Sequence, residues 1–515
     1  MIALLAVVSQ PVPDDPVPIE TPHVDWWALG PMLALVVGAL VLLLLTSFVR
    51  SRLFPGAYAA ITSVAGLAAI GLSVPLWREV QDSDRGPFST LDGALGVDGF
   101  SVFATVVLAS GVVLTALLID GYLRREGLDG VEGYALLLLS AAGGVVMSQA
   151  NDLIVLFLGL EVLSIAVYVL AAMHLRRVTS QEAGLKYFVL GSFASAFLLY
   201  GIALLYGGTG TTNLGTIMGL FSTSVLENDG LVFAGLALVL VGLAFKVSAV
   251  PFHFWTPDVY QGAPTPMVAW MASGVKVAGF AGLIRVFVLG FQTYAVDWQP
   301  LIYGLAIATL LVGSVLAVVQ TNVKRMLAYS SISHAGYVLV GIQAATDEGV
   351  QGALFYLAAY TFMVAGSFGV VTLVGRKGDI RHALDDYRGL GRERPLLALT
   401  LTLLLLAQAG VPLTSGFFAK FYVISAAVDA GSVPLAAIAM LAAVIAAFLY
   451  LRIIVAMYMT DDDAPAEDGP VAITAGAAVA LTLCLLVTIG VGVWPGAISH
   501  WAEEAIPVIV ASTPG

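Results

Sequence analysis

The sequence predicts an all-α, polytopic membrane protein with about 14 transmembrane helices. Composition, the spacing of apolar runs and the placement of basic residues each point there. Of 515 residues, 59% are hydrophobic and 11% charged, against about 25% charged in an ordinary soluble domain. The 54 glycines suit helices that approach closely in lipid through small residues. So few charges cannot furnish the polar skin of a soluble enzyme, and the same composition excludes collagen, coiled coil and disorder. The single cysteine, Cys484, excludes an intrachain disulfide. It also excludes a thiolate-held iron–sulfur cluster or a two-cysteine zinc site supplied by this chain alone. A net charge of −12 makes nucleic acid a poor partner.

A helix crossing a hydrocarbon core of ~30 Å needs about 20 mainly apolar residues. In chain order, residues 1–26 form an external N-terminal segment rich in Pro and Asp. Its apolar start, MIALLAVV, has eight residues and no basic leader, which is not the pattern of a cleaved signal peptide. Runs at 27–49, 57–76 and 99–120 give the first three helices, within 27–120. Runs at 133–149, 151–173, 183–206, 230–250 and 263–290 make a first block of five, 133–290, with Asn151–Asp152 and Pro264 at boundaries. Runs at 301–321, 325–345, 350–375, 395–429 and 433–459 make a second, 301–459, interrupted by the charged stretch GRKGDIRHALDDYRGLGRERP. A last run at 470–494 follows DDDAPAEDGP, and 495–515 is an external tail. Alternating runs of about ten residues, the mark of a membrane barrel, are not seen.

Basic residues orient the bundle. With the N-terminus outside, the inner loops hold 14: Arg50, Arg52, Arg124, Arg125, Arg176, Arg177, Lys324, Arg325, Arg376, Lys377, Arg381, Arg388, Arg392 and Arg394. The outer loops hold only Arg78 and Arg85, beside Asp14, Asp15, Asp82, Asp84, Glu227 and Asp229. Both termini are therefore expected outside a bacterial plasma membrane.

The six remaining cations, Lys186, Lys246, Lys276, Arg285, Lys420 and Arg452, fall within spans, joined by one carboxylate, Glu161. A charge at a span's centre costs on the order of 3 kcal/mol and commonly marks an ion or proton path. Arg285 and Arg452 lie near span ends, where a long side chain can snorkel to the headgroups. Lys186 is about five residues inside its span, and spacing leaves it open between snorkelling and function. Glu161, nine residues past Asp152, is close to the midplane and too short to snorkel. Lys276 and Lys420 are equally deep, and Lys246 closes a 17-residue climb from Gly230. His334 is mid-span, and spacing leaves it open between an interhelical hydrogen bond and proton transfer.

Two spans contain a proline inside the apolar run, Pro251 in GLAFKVSAVPFHFWTPDVYQGAPTP and Pro412 in LLLLAQAGVPLTSGFFAKFYV. Proline removes a helical hydrogen bond. A broken helix is tolerated at membrane depth where it lines a polar cavity. The breaks lie 161 residues apart, each in the fourth span of its block of five and each near a lysine, Lys246 or Lys420. Five is odd, so the two blocks enter the membrane from opposite sides, the arrangement of inverted repeats.

The run FKVSAVPFHFWTPDVYQGAPTPMVAWMASGVKVAGF (Phe245 to Phe280) resembles the antiporter-like subunits of respiratory complex I, as do KRMLAYSSISHAGYVLVG (Lys324 to Gly341) and GVPLTSGFFAKFYV (Gly410 to Val423). With EAGLKYFVLGSFASAFLLYG (Glu182 to Gly201), they look most like the subunit N family of bacterial NADH–quinone oxidoreductases, from about the third span to the fourteenth. The resemblance implies proton translocation driven by NADH-to-quinone electron transfer in partner subunits. It implies that Glu161 pairs with Lys246, that Lys276 centres a charged axis and that Lys420 serves the outlet. Lys186 and His334 match further positions of that family. Lysine at 420 favours N over the sister subunit M, which carries glutamate there, and the short C-terminus disfavours L. No redox centre and no metal is expected in this chain, so NADH, FMN, iron–sulfur clusters and quinone would belong to the rest of the complex. Subunits M, L, K, J, A and H and the lipid bilayer are the implied partners. Multisubunit sodium/proton antiporters share the core and are the competing reading. A sodium site would need several convergent oxygens, whereas the embedded set is mostly cationic.

Overall fold

A computed structural model describes residues 23–48, 56–128, 130–223, 229–459 and 471–510. Asp14, Asp15, Arg50, Arg52, Glu227, residues 1–22 of the external segment and residues 511–515 of the tail lie outside the described residues. The fold is a bundle of helices, eleven of which, among the described residues, are long and apolar enough to cross a membrane.

Helices α1 (Gly30–Phe48) and α2 (Ala57–Gln81) form an antiparallel pair. A short hairpin follows, β1 (Phe88–Thr90) pairing antiparallel with β2 (Leu95–Val97), which the sequence did not suggest. Helix α3 (Gly99–Glu126) begins at Asp98, whose carboxylate accepts from the Ser101 N–H at 2.9 Å in a reciprocal capping box. Its length of about 42 Å at 1.5 Å per residue spans the membrane with some tilt. Next come α4 (Glu132–Gln149), α5 (Leu153–Ala172), α6 (Val178–Thr209), the short α7 (Leu214–Thr223) and α8 (Gly230–Val247). Asp152 caps α5 by accepting from the N–H groups of Ile154 and Val155. The α4 and α5 backbones approach so closely that a Cβ on Gly143 would lie 2.6 Å from the Leu163 nitrogen.

The chain breaks between α8 and α9 (Trp255–Gly262), with Pro251 in the gap. It then continues as α10 (Thr265–Ala272) and α11 (Gly274–Leu283), closed by a π-helical turn at Ile284–Gly290. The expected span 263–290 is thus itself interrupted, at Ser273, and Ser–Gly pairs are a known cause of such kinks. Helices α12 (Ala295–Val318), α13 (Val323–Gln343) and α14 (Asp347–Val374) follow, then a second broken pair, α15 (Pro395–Ala409) and α16 (Ser415–Asp429). Helix α17 (Val433–Met459), α18 (Ala475–Val493) and the short α19 (Gly496–Glu503) are the last helices among the described residues.

Helices α10, α11 and α14 are almost wholly buried and form the centre, whereas α1, α6, α17 and α18 lie outside. The outer helices present Phe193, Leu441, Val444 and Leu486 outward. A continuous apolar surface of that kind belongs in lipid.

Candidate functional site

The first buried ammonium stands where α8 ends. Ser248 adopts a left-handed φ of 66° and closes the helix, its N–H donating to Phe245 O. Pro251 prevents continuation, and the freed Val250 N–H donates to Thr309 Oγ1 on α12 at 2.9 Å. Lys246, 2% exposed, donates to Ser164 Oγ on α5 at 2.8 Å. Its ammonium lies 5.8 Å and 5.6 Å from the Tyr168 and Tyr187 ring centres, and Trp255 stacks on Tyr187 at 4.2 Å. The expected direct pair of Glu161 with Lys246 is not formed. Ser164, one turn past Glu161 on the same helix, takes the lysine instead, and Glu161 keeps a buried oxygen, Oε1, with no protein partner.

The second ammonium lies just past the Ser273 kink. Lys276 is buried and donates to the Ser331 carbonyl on α13. On the same helix, His334 is held between two phenols, Nδ1 to Tyr356 Oη at 2.6 Å and Nε2 to Tyr450 Oη at 3.0 Å. Tyr450 Oη also bonds Ser330 Oγ at 2.6 Å. The Tyr360 ring lies 4.5 Å from the imidazole.

The third ammonium meets the other break. Gly410 (φ 94°) ends α15, and Lys420 on α16 folds back to donate to Ala409 O at 2.8 Å. Cations are favoured at the negative end of a helix dipole. A Cβ on Gly410 would sit 3.1 Å from Lys420 Cδ, so both the positive φ and the space call for glycine. The Tyr337 ring centre lies 5.0 Å from Lys420 Nζ, and Tyr337 stacks on Tyr356, which bonds His334. Helical interruption and buried lysine therefore coincide three times, and tyrosines fill much of the space between.

Lys186 lies elsewhere. Its side chain is 42% exposed and pairs with Glu182 at 2.7 Å and Asp258 at 2.8 Å. Asp258 also binds Arg325 at 2.7 Å. Lys186, Glu182 and Asp258 line a groove of about 360 Å³ that reaches Asp379 and His382. At its floor Asp379, fully buried, accepts from Arg177 (3.0 Å), Thr265 Oγ1 (2.7 Å) and His382 (2.8 Å), with Lys324 at 3.5 Å. Burial pushes the Asp379 carboxyl up, but Lys324, His382 and Arg177 together outweigh it and hold it well below the usual range. Burial lowers the His382 imidazole despite that carboxylate. The sequence placed Lys324 and Arg177 among ordinary loop cations. What buries them is the 375–394 segment, which folds back against α10 and α13.

Arg285 does not snorkel to the headgroups as expected. Arg285, 1% exposed, makes a two-point ion pair with Asp98 (2.8 and 2.6 Å) and donates to Ser148 O at 2.9 Å. Asp98 was not read as embedded, so the buried groups include a further carboxylate pair. A fork-to-fork pair outcompetes snorkelling because the guanidinium keeps its hydrogen bonds without leaving the protein. Arg452 donates to the carbonyls of Val318 and Gln320 and so closes the end of α12.

Comparison with known proteins gives a consistent set of likenesses. Residues 150–446 match the family described as NADH:quinone oxidoreductase/Mrp antiporter, TM. The chain is 41% identical over 480 residues to NADH-quinone oxidoreductase subunit N of Trichlorobacter lovleyi, covering 93% of this chain and 96% of that one. It is 42% identical over 477 residues to subunit N 1 of Solibacter usitatus, covering 92% and 96%. A chain of respiratory complex I from Thermus thermophilus superposes with a TM-score of 0.75 at 32% identity, covering 92% of this chain and 99% of that one. A chain of the Mrp complex from Dietzia sp. superposes with a TM-score of 0.79 at 22% identity, covering 93% and 97%, and shares the fold.

Proposed function

This chain belongs to the NADH:quinone oxidoreductase/Mrp antiporter family, as an antiporter-like membrane subunit N of NADH-quinone oxidoreductase, and on that premise we propose that its buried lysines carry protons across the membrane. The observation that carries the reading is the repeated pairing of a buried lysine with a helix interruption: Lys246 at Pro251, Lys276 at Ser273 and Lys420 at Gly410–Pro412. Each ammonium is hydrogen-bonded to a neutral oxygen, of Ser164, Ser331 or Ala409. Among the described residues, none of the three ammonium groups is in a salt bridge with a carboxylate, so each can pass its proton on and take another. Arginine in these places would not exchange.

His334 lies on the same route, with both ring nitrogens bonded to phenols that can turn as donor or acceptor. The buried hydroxyl of Tyr187 has no protein partner among the described residues and offers a bonding position to water along it, and those of Tyr260 and Tyr360 turn toward the Ser331 hydroxyl. Glu161 modulates Lys246 through Ser164, and Lys186 belongs to the groove where protons enter. The blocks 133–290 and 301–459 act as two inverted units, each with its own broken helix. Quinone reduction in partner subunits, which hold NADH, FMN and the iron–sulfur clusters, shifts the protonation of these lysines in turn. Neighbouring membrane subunits M, L, K, J, A and H complete the arm. The chain sits in the bacterial plasma membrane with both termini outward, as its basic loops require. A mainly cationic axis suits protons better than sodium, which wants convergent oxygens.

The test is proton flux per NADH oxidised in sealed vesicles carrying Lys246→Ala, with assembly verified. A severe loss of flux is expected, and unchanged flux in an assembled complex refutes the role.

A further inference from the structure

An apolar crevice of about 390 Å³ opens between α2, α3, α14, α18 and α19, away from the lysine axis. It lies beside the start of α3, at Val102 and Val106, whereas the Asp379 cluster meets the far end of that helix, at Tyr122. The two features therefore belong to opposite membrane faces.

The lining is almost entirely hydrocarbon. The hydroxyls that reach it are engaged within their own helices, Ser73 to Ala69 O and Ser110 to Val106 O, both at 2.8 Å. A polar ligand would find no hydrogen-bond partner inside. The mouth has a different character. Trp77 and Trp501 face each other there at 6.3 Å, a pair suited to the headgroup level of a bilayer. Arg78 stands beside them. Among the described residues, Arg85 is held by Glu79 (2.7 Å) and Asp25 (2.9 Å), whereas Arg78 makes no ion pair. Glu79, the nearest acid in sequence, is thereby neutralised by Arg85.

We propose that this crevice binds one anionic phospholipid, with an acyl chain inserted between α3 and α18 and the phosphate on Arg78. Bilayer lipid is as apolar as the crevice, so moving a chain into it yields little driving force by itself. Selectivity comes from charge: the Arg78 cation favours a headgroup with a net negative charge over a zwitterionic one, whose choline offsets the same phosphate. The inference is independent of the proton route.

The experiment reconstitutes the whole complex into phosphatidylcholine vesicles containing a trace of phosphatidylglycerol with a photoreactive group on one acyl chain. A matched phosphatidylcholine probe is the control. Labelled peptides are mapped, and NADH oxidation verifies assembly. Labelling of segments 70–78, 102–110 and 487–501 is expected to favour phosphatidylglycerol by about fivefold, the factor one basic residue contributes near an anionic headgroup. Arg78→Gln abolishes the preference and Arg78→Lys keeps it. Val106→Trp, which fills the crevice, lowers labelling by both probes. Equal labelling by the two lipids, or an unchanged preference in Arg78→Gln, overturns the proposal. Cross-linking of these segments to another subunit instead of to lipid overturns it as well, since a protein then occupies the crevice.

Discussion

Replacing Lys420 asks whether its charge is there to be exchanged or merely to stand. Its ammonium has one hydrogen bond, 2.8 Å to Ala409 O, and one aromatic face, Tyr337 at 5.0 Å. A hydrogen bond to a charged group contributes about 1.5–3 kcal/mol. A desolvated cation–π contact adds about 2 kcal/mol. Lys420→Met forfeits both, about 5 kcal/mol at most. It also removes the desolvation cost of a buried charge, several kcal/mol. The two nearly cancel, so Lys420→Met should assemble normally and lose most of its pumping. Lys420→Arg keeps the charge but holds its proton, and the bulkier head must fit where Gly410 already leaves little room. It too should fail. Lys420→Glu can donate to Ala409 O when protonated and can release that proton, so it should keep part of the flux. The assay is proton flux per NADH oxidised in sealed vesicles, with subunit content measured first. Full flux in Lys420→Met refutes the exchange role. Full flux in Lys420→Arg with loss in Lys420→Glu shows that a fixed positive charge is what the position supplies.

Three further predictions concern architecture. Arg285→Ala strands the buried Asp98 carboxylate and should cost about 3–5 kcal/mol, read as loss of assembled complex, with the double variant Asp98→Asn/Arg285→Gln recovering part of it; normal assembly of Arg285→Ala contradicts the buried pair. Asp379 has its folded carboxyl held below the usual range, so its contribution to stability is complete above about pH 4, the unfolded value, and is lost only as pH falls through the depressed one. Thermal stability of Asp379→Asn should therefore lie below wild type at pH 7 and converge with it in strong acid, and a gap that widens on acidification contradicts the sign. A reporter active only in the cytoplasm should be silent when fused after Gly515, and activity there reverses the orientation.

Eleven of the fourteen expected spans coincide, among the described residues, with helices long and apolar enough to cross a membrane; these were legible because a span must carry about 20 apolar residues whatever it packs against. Lys246, Lys276 and Lys420 were legible for the same reason, since a charge inside such a run has few bland explanations. Pairing across the fold was not. Asp98 stands at a helix N-cap and Arg285 near a span's end, and either alone reads as ordinary. Only the packing of α3 against α11 joins them. Asp379 and Lys324 read as loop charges until the segment after α14 folds inward over them. Ser164 was hidden because a serine three residues past a carboxylate looks like neutral helix surface, yet its position is what diverts Lys246 from Glu161. The tyrosines around His334 resembled packing residues, since a phenol discloses its hydrogen bond only when its partner is known. The interruption at Ser273 did leave a trace, the Ser–Gly pair ahead of Lys276, which lacked the proline that drew attention to the other two.

On the proposed route, protons pass through the buried lysines. Lys276 tests it most directly, because it lies on α11 at the buried centre, apart from the groove and from the outer helices. In vesicles whose complex carries Lys276→Met, NADH oxidation and proton flux are measured together in the presence and absence of an uncoupler. The complex is expected to assemble, with flux falling at least as steeply as in Lys420→Met. Wild-type flux per NADH oxidised in Lys276→Met would contradict it.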